Sequence, residues 1–66
     1  MIIVNGEPND AVAPGATVTE LLEVLDVPDR GVAVAVDAEV VPRSAWEAFA
    51  VPDGARVEVL TAVQGG

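Results

Sequence analysis

The sequence predicts an α+β fold, with one helix packed across one face of a mixed sheet of about four to five strands. Three observations predict it. β-branched runs stand near both ends, at Ile2-Ile3-Val4 and from Arg56 onward. A capping box at Thr17 introduces an amphipathic stripe. Later, Val32-Ala33-Val34-Ala35-Val36 forms a continuous apolar run of strand length. The order is therefore β-β-α-β-β-β.

Ile2-Ile3-Val4 reads as a strand, although the pattern leaves its faces unassigned. Asn5-Gly6 is the strongest short-range signal for a tight hairpin turn. Asp10-Ala11-Val12-Ala13 is expected to supply the returning strand, which Pro14-Gly15 then breaks. Thr17 is the N-cap of the helix and Glu20 reaches back from its third position. Val18, Leu21, Leu22 and Leu25 recur at i, i+3, i+4 and i+7, a stripe facing the core. Glu20, Glu23 and Asp26 lie toward the other side, and Pro28 stops the helix, which is expected over 18–26.

The run 32–36 is short enough to be a strand buried on both faces. Asp37-Ala38-Glu39 reads as a turn and Val40-Val41 as a short strand ended by Pro42. Residues 43–49 hold a helical turn that tucks Trp46 or Phe49 into the core, with Trp46 the expected anchor of so small a core. Pro52-Asp53-Gly54 is a turn, because proline presets φ and glycine accepts a positive one. Residues 56–63 form the last strand, and Gln64-Gly65-Gly66 has no propensity for either element. The expected organisation is one domain over 1–63 and a flexible, reactive C-terminal tail over 64–66.

Composition narrows the function. The 66 residues carry eleven acidic groups, three arginines and a net charge of -8. That balance is wrong for holding phosphate backbones, so nucleic acid is not expected as a partner. It favours solubility and steering toward a basic protein surface. The first residues carry no signal-peptide pattern and no apolar run approaches a membrane span, so a cytoplasmic domain without membrane contact is expected. A domain this small buries only about 60% of its unfolded surface and has little room for an enclosed active site.

Histidine, cysteine, lysine and tyrosine are absent, which removes the usual general bases, covalent nucleophiles and Schiff-base formers. Thr17, Thr19, Ser44 and Thr61 have no activating base. Asp26 and Asp29, or Asp37 and Glu39, fall in expected turns and read as solvated acids. No calcium-loop spacing is present and no thiolate metal site is possible, so no metal and no bound cofactor are expected. The chain is read as a non-enzyme without catalytic side chains.

The remaining reactive group is the α-carboxylate of Gly66. Gln64, Gly65 and Gly66 form a tail that two glycines keep narrow enough to enter a cleft, with a reach of roughly 10 Å. A carboxylate is a poor electrophile. Coupled to the α-phosphate of ATP it becomes an acyl-adenylate that a sulfur or nitrogen nucleophile can attack. The bland alternative is a tail of small residues that merely frays.

The chain resembles the thiamine-biosynthesis sulfur carrier proteins, the ThiS family, over essentially its whole length. The resemblance rests on Val4-Asn5-Gly6-Glu7, Thr17-Val18-Thr19-Glu20-Leu21-Leu22 and Val34-Ala35-Val36. Val41-Pro42-Arg43-Ser44 with Trp46 is its most specific piece, and Asp53-Gly54-Ala55-Arg56-Val57-Glu58-Val59 leads into Ala62-Val63-Gln64-Gly65-Gly66. It implies the ubiquitin-like β-grasp fold. It also implies that Gly66 is adenylated by an E1-like partner of the ThiF type, which consumes ATP, and is then converted to a thiocarboxylate. A sulfur donor protein and a thiazole synthase of the ThiG type complete the implied partners. The small subunit of molybdopterin synthase is similar, but typically carries Pro-Pro-Val where this chain has Thr61-Ala62-Val63. A covalent protein modifier and an inert interaction module are the competing classes.

Parity along the last strand points Arg56 and Glu58 to one face and Val57, Val59 and Val63 to the other, toward the helix. Leu60 and Ala62 share the charged residues' face. Leu60 there either packs under a loop or belongs to an apolar patch that a partner contacts.

Overall fold

The computed structural model describes residues 1–28 and 30–61. Five short strands form one sheet: β1 (Ile2–Val4), β2 (Glu7–Asn9), β3 (Val32–Val36), β4 (Glu39–Val41) and β5 (Arg56–Thr61), in the spatial order β2-β1-β5-β3-β4. One helix, α1 (Val18–Val24), packs on it through Val18, Leu21 and Leu22, with Leu25 partly buried against the same core.

The first hairpin turns on Asn5 and Gly6, with φ of 51° and 84°, the left-handed pair that a two-residue turn requires. The returning strand is therefore β2, directly after the turn, and not residues 10–13 as the apolar pattern suggests. A two-residue turn delivers the chain straight into register, so Val4 pairs Glu7, Ile3 pairs Pro8 and Ile2 pairs Asn9. Pro8 is tolerated because β2 is an edge strand. The Asn9 side chain then accepts the Ala11 N–H at 2.9 Å and turns the chain away. Val12 reaches the core from that loop, at 2% exposure.

The capping box forms: Thr17 Oγ1 accepts the Glu20 N–H at 3.2 Å and Glu20 Oε1 accepts the Thr17 N–H at 2.9 Å. The helix ends before the expected residue 26, because Asp26 takes φ 58°. Its N–H donates to Glu23 O at 3.1 Å and the Val27 N–H to Leu22 O at 3.0 Å, which together close the end in a Schellman motif.

β3 is buried on one face, not two: Val34 and Val36 are buried, whereas Ala33 is exposed and Ala35 half-exposed. α1 covers the Val34 face, and no second helix among the described residues covers the other. β4 starts at Glu39, one residue before the expected strand, since Asp37 and Ala38 (φ 52° and 69°) make another two-residue turn. Ile2 and Val4 face the core while Ile3 points to the outer face, half-buried.

The segment after β4 braces the molecule. A 3-10 turn over Arg43–Ala45 leads Trp46 into the core, where it is 4% exposed and its Nε1 donates to Val41 O at 2.9 Å. Phe49 is only partly buried. The main chain here also serves the helix: Phe49 O accepts the Val18 N–H at 3.1 Å and Trp46 O the Thr19 N–H at 3.3 Å. With Thr17 on Glu20, these bonds satisfy the donors that a helix leaves orphaned in its first turn. Trp46→Ala is expected to destabilise the domain by about 3–5 kcal/mol, against about 1 kcal/mol for Thr17→Ala, measured by urea denaturation.

Candidate functional site

β5 lies at the middle of the sheet. It runs parallel to β1 (Ile3 with Arg56, Val4 with Val57) and antiparallel to β3, from Val36 with Val57 to Val32 with Thr61. Its alternation follows the expected parity. Val57 and Val59 are buried, and Arg56, Glu58 and Leu60 are exposed. Leu60 packs under no loop of the described residues: it is 64% exposed.

Register extends that outer face beyond β5. Leu60 stands opposite Ala33, Glu58 opposite Ala35, and Ala35 opposite Val40, which is 71% exposed. Ile3 lies beside Arg56 on the other flank. The sequence pattern missed Ala33, Ala35, Val40 and Ile3 as members of this face. The small alanines between the valines of 32–36 were the available signal, since a face holding only alanine has little to bury. A depression of about 360 Å³ lies by Gly31, Val32, Ala33, Leu60 and Thr61, at the end of β5 toward the tail.

Gln64, Gly65 and Gly66 lie outside the described residues, as do Ala62 and the expected partner of Val59 parity, Val63. Asp29 is outside them too. Of the expected site residues the structure describes Leu60, which precedes Thr61, the last described residue of β5.

The rest of the described surface offers little chemistry. No group of three His, Cys, Asp or Glu side chains could hold a metal among the described residues. None of the described charged side chains is buried, and no buried side-chain N or O lacks a partner. The Thr17 hydroxyl is engaged at the helix cap. A groove of about 420 Å³ runs between α1 and residues 43–47, with the Arg43 guanidinium 6.0 Å from the Trp46 ring centroid, a cation–π contact at the limit of its range. Asp53 is held below the usual carboxylate range, first by the hydrogen bond from the Met1 ammonium and then by its charge. That pair precedes β1 and β5 and so sits at the opposite end of these parallel strands from Thr61. No helix among the described residues is long and apolar enough to cross a membrane.

The ThiS family model matches residues 2–66. The sulfur carrier protein ThiS of Escherichia coli K12 is 41% identical over 54 residues, covering 82% of this chain and 82% of that protein. A thiazole synthase of Paramagnetospirillum magneticum is 38% identical over 65 residues, 98% of this chain but 20% of that protein. The crystal structure of the thiamine biosynthesis protein ThiS from Geobacter metallireducens superposes with a TM-score of 0.81 at 39% identity, covering 98% of this chain and 97% of that one. A solution structure of a thiamine biosynthesis protein from the same organism gives 0.80 at 40% identity, over 98% and 86%. The helix on a five-stranded mixed sheet is the β-grasp arrangement.

The parity of β5 has a direct test. Leu60→Glu is expected to leave stability within about 0.5 kcal/mol, as for other surface changes, whereas Val59→Glu buries an unpaired charge and unfolds the domain. Thermal melts followed by circular dichroism separate the two.

Proposed function

The chain belongs to the ThiS family, and on that premise we propose that it carries sulfur for thiazole formation in thiamine biosynthesis as a thiocarboxylate on Gly66. The observation that carries the reading is the match of the ThiS family to residues 2–66, a span that includes the Gly65-Gly66 tail. In the proposed sequence an oxygen of the Gly66 carboxylate attacks the α-phosphate of ATP within an E1-like, ThiF-type partner and releases pyrophosphate. The acyl-adenylate is then attacked by the outer sulfur of a persulfide on a donor protein and AMP leaves, so that a C–S bond replaces a C–O bond. A thiol then cleaves the S–S bond of the acyl disulfide, which frees the Gly66 thiocarboxylate and leaves the donor's sulfur in a disulfide with that thiol. Glycine leaves the carbonyl open to this attack because it has no Cβ.

The body's part is to present that end. Gly66 stands five residues beyond Thr61, the last described residue of β5, a span of at most about 18 Å when extended. That is long enough to enter a partner's cleft while the domain rests outside it. A thiazole synthase, of the ThiG type, is proposed as the acceptor of the sulfur. In support, one relative of that name contains a region similar to nearly all of this chain. The chemistry itself is assigned to the partners, and ATP is consumed by the adenylating one.

Leu60 and Ala62 are proposed to contact the adenylating partner. For Leu60 the support is its 64% exposure on an outer face that also bears Val40 and Ala33. The net charge of -8 suits a basic partner groove.

Intact mass spectrometry of the protein incubated with ATP, a sulfur source and cell extract is expected to show one sulfur gained in place of one oxygen. Deleting Gly66 should abolish the gain and leave the melting curve unchanged. Attachment to other proteins would mark a modifier instead, and an unchanged mass an inert module. Leu60→Glu is expected to weaken binding to the adenylating partner by ~10-fold or more, as loss of an interface anchor does. Unaltered affinity in the folded variant would remove Leu60 from the interface.

A further inference from the structure

We infer that Asn5 is a positioning residue for the tail, its carboxamide standing in for the β1 residue that the hairpin turn removes. The inference rests on the carrier reading of Gly66. The parallel ladder between β1 and β5 proceeds in regular steps: the Ile3 N–H donates to Ala55 O at 2.9 Å and the Asn5 N–H to Val57 O at 2.8 Å. The next residue of that series on β5 is Val59. No β1 main chain is left to meet it, because the chain reverses at Asn5 and Gly6. The Asn5 side chain fills the gap. Its Oδ1 accepts the Val59 N–H at 2.9 Å, and its Nδ2 donates to Val59 O at 3.4 Å. A carboxamide offers the same acceptor and donor as a peptide group, so the ladder gains one more step without a third β1 backbone contact. The shorter of the two bonds carries most of the hold.

The turn alone does not ask for this side chain. At φ 51° glycine would serve as well as asparagine. What asparagine adds is the bond to Val59, the last β5 residue held from the β1 side among the described residues, since Leu60 and Thr61 have register partners on β3 alone. Val59 is therefore the residue that fixes the described end of β5 from the β1 side. Freed on one side, β5 can swing about its β3 edge, which moves Thr61, the last described residue before the tail. Group transfer at the Gly66 carboxylate is sensitive to misplacement on the order of 1 Å.

The test compares the wild-type chain, Asn5→Gly and Asn5→Asp in ATP–pyrophosphate exchange with the purified adenylating partner. Asn5→Gly keeps the turn and loses both bonds; its kcat is expected to fall ~10-fold or more, while KM for the carrier stays within about twofold because the outer sheet face is untouched. Amide exchange at Val59 should quicken with that at Val34 unchanged. Asn5→Asp keeps the acceptor and should restore both Val59 protection and most of kcat. An unchanged kcat in Asn5→Gly, or equal quickening at Val59 and Val34, overturns the positioning role and leaves the carrier reading standing. Failure of the wild-type chain to support exchange overturns both.

Discussion

One helix cannot cover two faces of a sheet. α1 spans seven residues and packs on a sheet of five strands, so the molecule has one closed face and one open face among its described residues. Everything else is arranged around that imbalance. Every strand that crosses the middle must alternate, with large apolar side chains toward the helix and small or charged ones away from it. β5 does so with Val57 and Val59 inward against Arg56 and Glu58 outward, Leu60 being its one exposed large apolar residue among those described, and β3 with Val34 and Val36 inward against Ala33 and Ala35. The open face is thus no leftover, because it is built from the same strands as the core and shares its rigidity.

A seven-residue helix is too short to persist on its own propensity. It is held because both ends are closed by their surroundings. At the start, the capping box and the carbonyls of Trp46 and Phe49 take the first donors. At the end, the Schellman bonds of Asp26 and Val27 take the last acceptors. Segment 43–51 therefore does two jobs at once. It buries Trp46 under the sheet, and it supplies the hydrogen bonds that make so short a helix possible. Apolar packing and backbone satisfaction are coupled here, because the indole that fills the core also donates to Val41 O on β4.

Much of this was legible in the residues. The Thr17–Glu20 capping box, the Asn5-Gly6 turn, the buried Trp46 and the parity of β5 all follow from local chemistry that tertiary packing did not override. Three features were not legible, each for a physical reason. β2 is Glu7-Pro8-Asn9, which has no strand propensity and pairs because the two-residue turn leaves it no alternative. Valine and alanine around position 12 imitate a strand, but Val12 is a loop residue filling a gap in the core. The run 32–36 looks doubly buried because alanine counts as apolar, although its small surface suits an open face as well. Of the candidate site, Leu60 could be placed by parity, whereas the Asn5 bond to Val59 joins residues 54 positions apart and leaves no trace in local pattern.

The two-residue turns also decide which residues are available to a partner. Side chains in a strand alternate with period two, so a slip of one residue would exchange the inward and outward sets of an entire strand. Asn5-Gly6 and Asp37-Ala38 prevent that slip by fixing Val4 opposite Glu7 and Val36 opposite Glu39. Asp37 is tied in turn to the beginning of β5, since its Oδ1 accepts the Arg56 N–H at 3.0 Å and its N–H donates to Arg56 O at 2.8 Å. One turn therefore holds the first residue of β5 and the other, through Asn5, holds Val59 near its end. Because the same strand separates core from open face, these clamps keep that face and the described end of β5 in one fixed relation. In the proposed function Gly66 meets a partner's reaction centre while the body rests on that partner's surface, and that arrangement requires this fixed relation more than it requires any side-chain chemistry of the carrier's own.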